Sequence, residues 1–204
     1  IGVVFLLPML YFAWRGRIRQ GLTLKLVFLF FLGGCQGLLG WYMVKSGLVD
    51  NPRVSQYRLT AHLGLAVAIY AYMLWLAFDL LFAAVPPGAR RPYAGWSRAL
   101  VGLVFLMILS GGLVAGTRAG YAYSTWPLMG DSFIPRGLYA GTPAWMDIFE
   151  DITTVQFNHR ILAYLLVVLI GAFAALVYRG GATGRGKLAV TLLLAALALQ
   201  VILG

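Results

Sequence analysis

Six apolar stretches dominate the chain, over residues 1–14, 22–44, 59–82, 99–117, 160–178 and 188–204. The four interior ones reach the roughly 20 residues that a helix needs to cross a bilayer core. The first and last are shorter and are cut by the ends of the sequence. The chain is 61% hydrophobic and only 11% charged, less than half the charge of an average soluble domain. In hydrocarbon a backbone must pair its own N–H and C=O groups, so such stretches fold as helices. The expected fold is all-α, a polytopic membrane helical bundle. The sequence opens without an initiator Met or signal peptide, and the expectation is an internal stretch of a longer chain.

A net charge of +10 raises the question of nucleic acid, and its placement argues against it. Arg15, Arg17, Arg19 and Lys25 fill the first connection. Arg90, Arg91 and Arg98 fill the third, and Arg179, Arg185 and Lys187 the fifth. The second and fourth connections hold Asp50, Asp131, Asp147, Glu150 and Asp151. Ten basic residues on one side against six on the other is the positive-inside pattern. The expected location is a bacterial inner membrane, with Ile1 at the outer face and the three basic connections inside. Cys35, the lone cysteine, lies in an apolar stretch as a small buried residue, with no second thiol for a disulfide.

Two histidines are the sharpest chemical signal. They stand in Arg58-Leu59-Thr60-Ala61-His62 and Gln156-Phe157-Asn158-His159-Arg160. Each is expected about one turn inside an apolar helix. An imidazole in hydrocarbon is costly without a partner, so it marks a candidate functional site. It is also a common axial ligand of haem iron. The bland reading is a helix-end histidine bonded to a carbonyl; two at matching depth favour ligands.

Other features frame these two. Gly33-Gly34-Cys35-Gln36-Gly37 and Ser110-Gly111-Gly112 are small-residue surfaces on which another helix packs closely. Gln36 is polar in an apolar helix, and an interhelical hydrogen bond is its expected use. Pro52 breaks the second connection, and Pro86-Pro87-Gly88 ends the third helix. The connection from Thr117 to Gln156 is too long for a simple link. Within it, Trp145 to Ile152 alternates apolar and acidic residues at helical spacing, which suits a short helix on the membrane surface. Gln36-Gly37-Leu38-Leu39-Gly40 matches Gln200-Val201-Ile202-Leu203-Gly204, two helices of equal orientation. The match suggests two pseudo-repeated four-helix halves about an axis along the membrane normal. By that symmetry a helix beyond Gly204 carries a counterpart of His62.

With these residues in view, the chain resembles the haem A synthase family. The resemblance is carried by Gln36-Gly37-Leu38-Leu39-Gly40-Trp41-Tyr42-Met43-Val44-Lys45-Ser46-Gly47-Leu48 and Tyr57-Arg58-Leu59-Thr60-Ala61-His62-Leu63. In the second half it is carried by Gly112-Leu113-Val114-Ala115-Gly116, Trp126-Pro127-Leu128-Met129 and Gln156-Phe157-Asn158-His159-Arg160. The absence of a cysteine pair in the outer loops resembles the proteobacterial and mitochondrial branch.

The resemblance implies eight helices in two halves, with the six here being the second to the seventh. Residues 1–82 would be the remainder of the N-terminal half, on the side of the haem O substrate. Residues 83–98 would be a cytoplasmic linker, and 99–204 the C-terminal half with a haem b cofactor. His62 would ligate the haem O iron and His159 the haem b iron. Their partner ligands, and a family glutamate tied to catalysis, would lie outside this stretch, so the stretch alone is expected to be inactive. The implied reaction turns a methyl group of haem O into a formyl group by successive hydroxylations, with electrons passing through haem b. Haem propionates would meet Arg58, Arg118, Arg136 or Arg160, of which Arg160 is best placed. Ala66, Ile69 and Met73 would line one pocket, and Leu162, Ala163 and Leu166 the other.

Membrane lipid, haem O, an electron donor, haem O synthase and a second copy of the chain are the implied partners. Two other functions stay open from the residues. One is a bis-histidine membrane cytochrome that only transfers electrons, with His62 and His159 even sharing one haem. The other is a two-repeat transporter with histidine proton relays, against which the scarcity of polar residues and broken helices counts.

Overall fold

A computed structural model describes residues 2–47, 54–82 and 92–203. Asp50, Pro52, Pro86-Pro87-Gly88, Arg90 and Arg91 lie outside the described residues, as does Gly204. The structure is helical throughout its long elements: α1 (Gly2–Trp14), α2 (Leu22–Gly47), α3 (Gln56–Leu81), α4 (Ala94–Thr117), α5 (Asp147–Glu150), α6 (Ile152–Arg179) and α7 (Gly184–Leu203). Five of them, α2, α3, α4, α6 and α7, are long and apolar enough to cross a membrane, whereas α1 is shorter. The protein is a polytopic membrane helical bundle.

The chain divides into two compact units, Ile1–Pro87 and Gly88–Gly204. In the first, α1 packs on α2 and α2 on α3. Aromatic contacts join them: Phe5 stacks on Phe30, and Phe28 meets Tyr72 edge-on. At the Lys25 end of α2, the ammonium lies 3.8 Å from the Asp79 carboxylate, both half exposed. Cys35 is a free, half-buried thiol on α2.

In the second unit α6 is the central helix, packed against both α4 and α7. Its buried residues Leu166, Ile170, Phe173, Ala174 and Val177 recur at helical spacing and meet Leu100 of α4 and Val190 of α7. The burial is unequal: 28% of the α6 span is enclosed by protein, against 6–11% for the other four spans. The large exposed side chains on those helices, such as Phe31, Trp75, Val101 and Leu192, are what a lipid-facing surface requires. Between helices in lipid, close packing and polar contacts hold elements together, since hydrocarbon tails are as apolar as the side chains.

Several helix starts differ from the apolar stretches. α3 begins at Gln56 instead of residue 59, α4 at Ala94 instead of 99, and α7 at Gly184 instead of 188. The largest difference is α6, which begins at Ile152 instead of 160. Its first turns are polar (Thr153, Thr154, Gln156, Asn158), so hydropathy alone misses them. Asp151 fixes the start: its side chain accepts from the Thr154 N–H at 2.7 Å, which satisfies one of the free donors of a helix N-terminus.

That cap also changes the surface helix expected over Trp145 to Ile152. A single 3-10 turn (Ala144–Met146) runs into the four-residue α5, and the chain then extends at Asp151, φ −77° and ψ 122°. Asp147, at the start of α5, accepts from the Gly141 N–H at 2.8 Å.

Candidate functional site

His62 is the seventh residue of α3 and His159 the eighth of α6. Both lie about two turns from their helix starts, where about one turn is expected from the sequence. The added depth follows from the polar first turns of each helix.

Each imidazole rests on a glycine of the preceding long helix. In the first unit, a Cβ placed on Gly40 would lie 3.0 Å from His62 Cε1. In the second, a Cβ on Gly111 would lie 3.5 Å from His159 Cε1. Gly111 belongs to the Ser110-Gly111-Gly112 surface read from the sequence, whereas Gly40 lies just beyond the Gly33–Gly37 surface, where a Cβ on the glycines would meet nothing within 4 Å.

A polar side chain accompanies each glycine. Gln36, one turn before Gly40, brings its amide nitrogen within 3.3 Å of His62 Nε2 and donates to the His62 carbonyl at 3.1 Å. The expected interhelical bond of Gln36 is therefore present. His62 Nδ1 and Gln36 Oε1 are both buried without a hydrogen-bond partner. In the second unit Ser110, adjacent to Gly111, holds His159 Nδ1 at 2.7 Å. Sequence reading assigned Ser110 only to helix packing. A hydroxyl in an apolar helix beside two glycines was the available signal.

The arginines fall in different settings. Arg160, half-buried next to His159, donates to three carbonyls of the connection after α4: Nη2 to Tyr123 at 2.9 Å, Nη1 to Thr125 at 2.8 Å and Nη1 to Leu128 at 3.2 Å. Gln156 Nε2 also donates to Tyr123 O at 2.9 Å. Tyr139 is tied to α6 twice, through its N–H to Thr154 Oγ1 and its hydroxyl to Asn158 Oδ1 at 2.6 Å. The polar first turns of α6 thus clamp the Thr117–Gln156 connection over the His159 end of this unit. Sequence reading missed Tyr139, Thr154 and Asn158 in this role, because each pairs with a residue 15 or more positions away.

Arg58 lies over the Tyr42 ring, 4.7 Å from its centroid, within reach of cation–π attraction. Arg118 caps α4 in the left-handed region (φ 59°), its N–H returning to Ala115 and Val114 carbonyls, with the side chain exposed; Arg136 is exposed as well. Of the lining residues read from spacing, Ala66, Ile69, Leu162 and Ala163 are half-buried. Met73 is exposed and Leu166 packs into the α4–α6–α7 core.

Among the described residues no three His, Cys, Asp or Glu side chains cluster to hold an ion. A lone imidazole has one nitrogen lone pair to offer a metal, which is the share a protein histidine contributes to a haem.

The chain matches a family model described as cytochrome oxidase assembly protein over residues 1–204. It is 51% identical to a heme A synthase of Nitrosospira multiformis, covering 100% of this chain and 58% of that protein. It is 47% identical to a heme A synthase of Nitrosomonas eutropha, with the same coverage, and 39% identical to one of Caulobacter vibrioides over 100% of this chain and 60% of that protein. The chain thus spans less than two thirds of the length of these relatives. No solved structure matches. By the family model over the whole chain and by these identities, the chain belongs to the haem A synthase family.

Proposed function

We propose that this chain is the central part of a haem A synthase, an oxidoreductase of the bacterial inner membrane that oxidises a methyl group of haem O to a formyl group. His62 would hold the haem O iron in the first unit and His159 the iron of a haem b in the second. The observation that carries this reading is the paired seat: in each unit a histidine of one spanning helix faces a glycine and a polar side chain of the preceding long helix.

Haem b, when bound, supplies the one-electron redox chemistry, and the protein supplies ligation, orientation and dielectric. Gly40 and Gly111 leave room for rings to lie close to the helix backbone. Ser110 orients the His159 ring through Nδ1, whereas Gln36 holds the His62 ring through Nε2 and its carbonyl and would yield Nε2 to an arriving iron. The apolar helix faces keep water from the reacting centre. Arg160 acts first as the clamp of the connection after α4, and a propionate would share its guanidinium with the Tyr123, Thr125 and Leu128 carbonyls. The proposal extends to the second ligand of each haem and to the acid group of catalysis, which it places in regions outside this stretch. It follows that residues 1–204 alone would be inactive. The basic connections would face the cytoplasm and the Thr117–Gln156 connection the outer side. An electron donor and haem O synthase are the proposed partners.

The test is a haem inventory on the full-length gene product, made in a host that produces haem O. Haems extracted from the purified protein are resolved by chromatography and mass. Haem A or a hydroxylated haem O beside haem b is the expected result. Haem b alone, with haem O available, would replace this reading with that of an electron carrier.

A further inference from the structure

Ser110 Oγ makes two short contacts that together constrain a proton. It lies 2.8 Å from the Met107 carbonyl oxygen on its own helix and 2.7 Å from His159 Nδ1. A serine hydroxyl has one hydrogen to give and lone pairs to receive. A carbonyl oxygen only accepts. Both contacts can be hydrogen bonds together in one way: Ser110 donates to Met107 and accepts from an Nδ1–H of His159. A neutral His159 then carries its proton on Nδ1 and leaves the Nε2 lone pair for a metal.

We infer that Ser110 is a positioning residue that selects the metal-ready tautomer of His159 and sets its basicity. The inference rests on the reading of His159 as a haem ligand. A ligating histidine commonly donates its other N–H to an oxygen, which fixes ring orientation and raises its donor strength. Here that oxygen is a hydroxyl polarised by its own bond to a main-chain carbonyl. Gly111, the next residue, does not constrain the approach: even a Cβ there would stand at ordinary contact, 3.5 Å from His159 Cε1. The arrangement is particular to the second unit. In the first, the polar partner Gln36 contacts Nε2 itself, and His62 Nδ1 has no partner.

The experiment uses the full-length protein purified from membranes, as wild type, Ser110→Ala, Ser110→Thr and His159→Ala. Haem b content, haem affinity, midpoint potential and the low-spin ferric resonance spectrum are measured. Ser110→Ala is expected to keep the fold, to lose haem b affinity by roughly 10- to 100-fold, and to shift the midpoint potential positive, because a less basic imidazole stabilises the ferric state less. Ser110→Thr, which keeps the hydroxyl, is expected to restore both. An unchanged potential and affinity in Ser110→Ala would overturn the inference. His159→Ala separates the underlying reading: unaltered low-spin haem b in that variant would remove His159 as a ligand, whatever Ser110 does. Should Ser110→Ala fail to accumulate, nitrogen-15 histidine spectra of haem-depleted wild type decide. An Nδ1-protonated His159 supports the inference and an Nε2-protonated one overturns it.

Discussion

The imidazole of His62 rests against Gly40 so closely that a Cβ at residue 40 would stand 3.0 Å from Cε1, whereas Gly111 leaves 3.5 Å beside His159. The first gap is tighter than ordinary van der Waals contact and the second is not. Gly40→Ala must therefore displace the His62 ring. Overpacking of this kind costs about 1–3 kcal/mol, which would lower occupancy of the first-unit haem on the order of 10-fold. Gly111→Ala is expected to bind haem normally, with its helix slightly stabilised by alanine's propensity. Haem content per purified protein checks both, and equal losses in the two variants would contradict the distinction.

Gln36→Leu removes the polar neighbour of His62 while keeping the helix apolar. Interhelical hydrogen bonds in membranes contribute about 0.6 kcal/mol on average, so stability should change little. Orientation of His62 should change more, because the amide touches both its Nε2 and its carbonyl. The expected result is a nearly unchanged thermal midpoint with several-fold less haem O-derived product. A large fall in stability with product per folded molecule unchanged would assign Gln36 to packing alone.

Arg160→Lys tests the clamp. The guanidinium reaches three carbonyls from two nitrogens, and a lysine ammonium keeps the charge without the fork. The connection around residues 123–130 should become more open to protease and to amide exchange. Retained protection together with lost haem b would instead make propionate pairing its principal role.

Asp151→Ala removes the cap of α6. Loss of such a cap costs about 1 kcal/mol, and exchange at the Thr154 amide should accelerate first. Because Thr154 and Asn158 hold Tyr139, protection of the connection should weaken in step. An unaltered exchange rate at Thr154 would show that the cap is not needed.

Much of this was legible in the sequence for physical reasons. Long apolar runs left no option but helices, and two histidines in such runs required partners. Gln36, Gly40 and Gly111 stood out as polar or small residues where bulk apolar ones are the rule. What stayed hidden depends on distance along the chain. The start of α6 was invisible to hydropathy because Thr153, Thr154, Gln156 and Asn158 are polar, and the last three bind the connection. The Ser110–His159 contact spans 49 residues.

The most direct test of the central claim is the haem inventory of two single variants of the full-length protein, His62→Ala and His159→Ala. The two variants should dissociate: His62→Ala keeps haem b and loses haem O and its oxidised products, while His159→Ala loses haem b. Loss of the same single haem in both variants would contradict two separate sites and leave one haem shared by the two histidines.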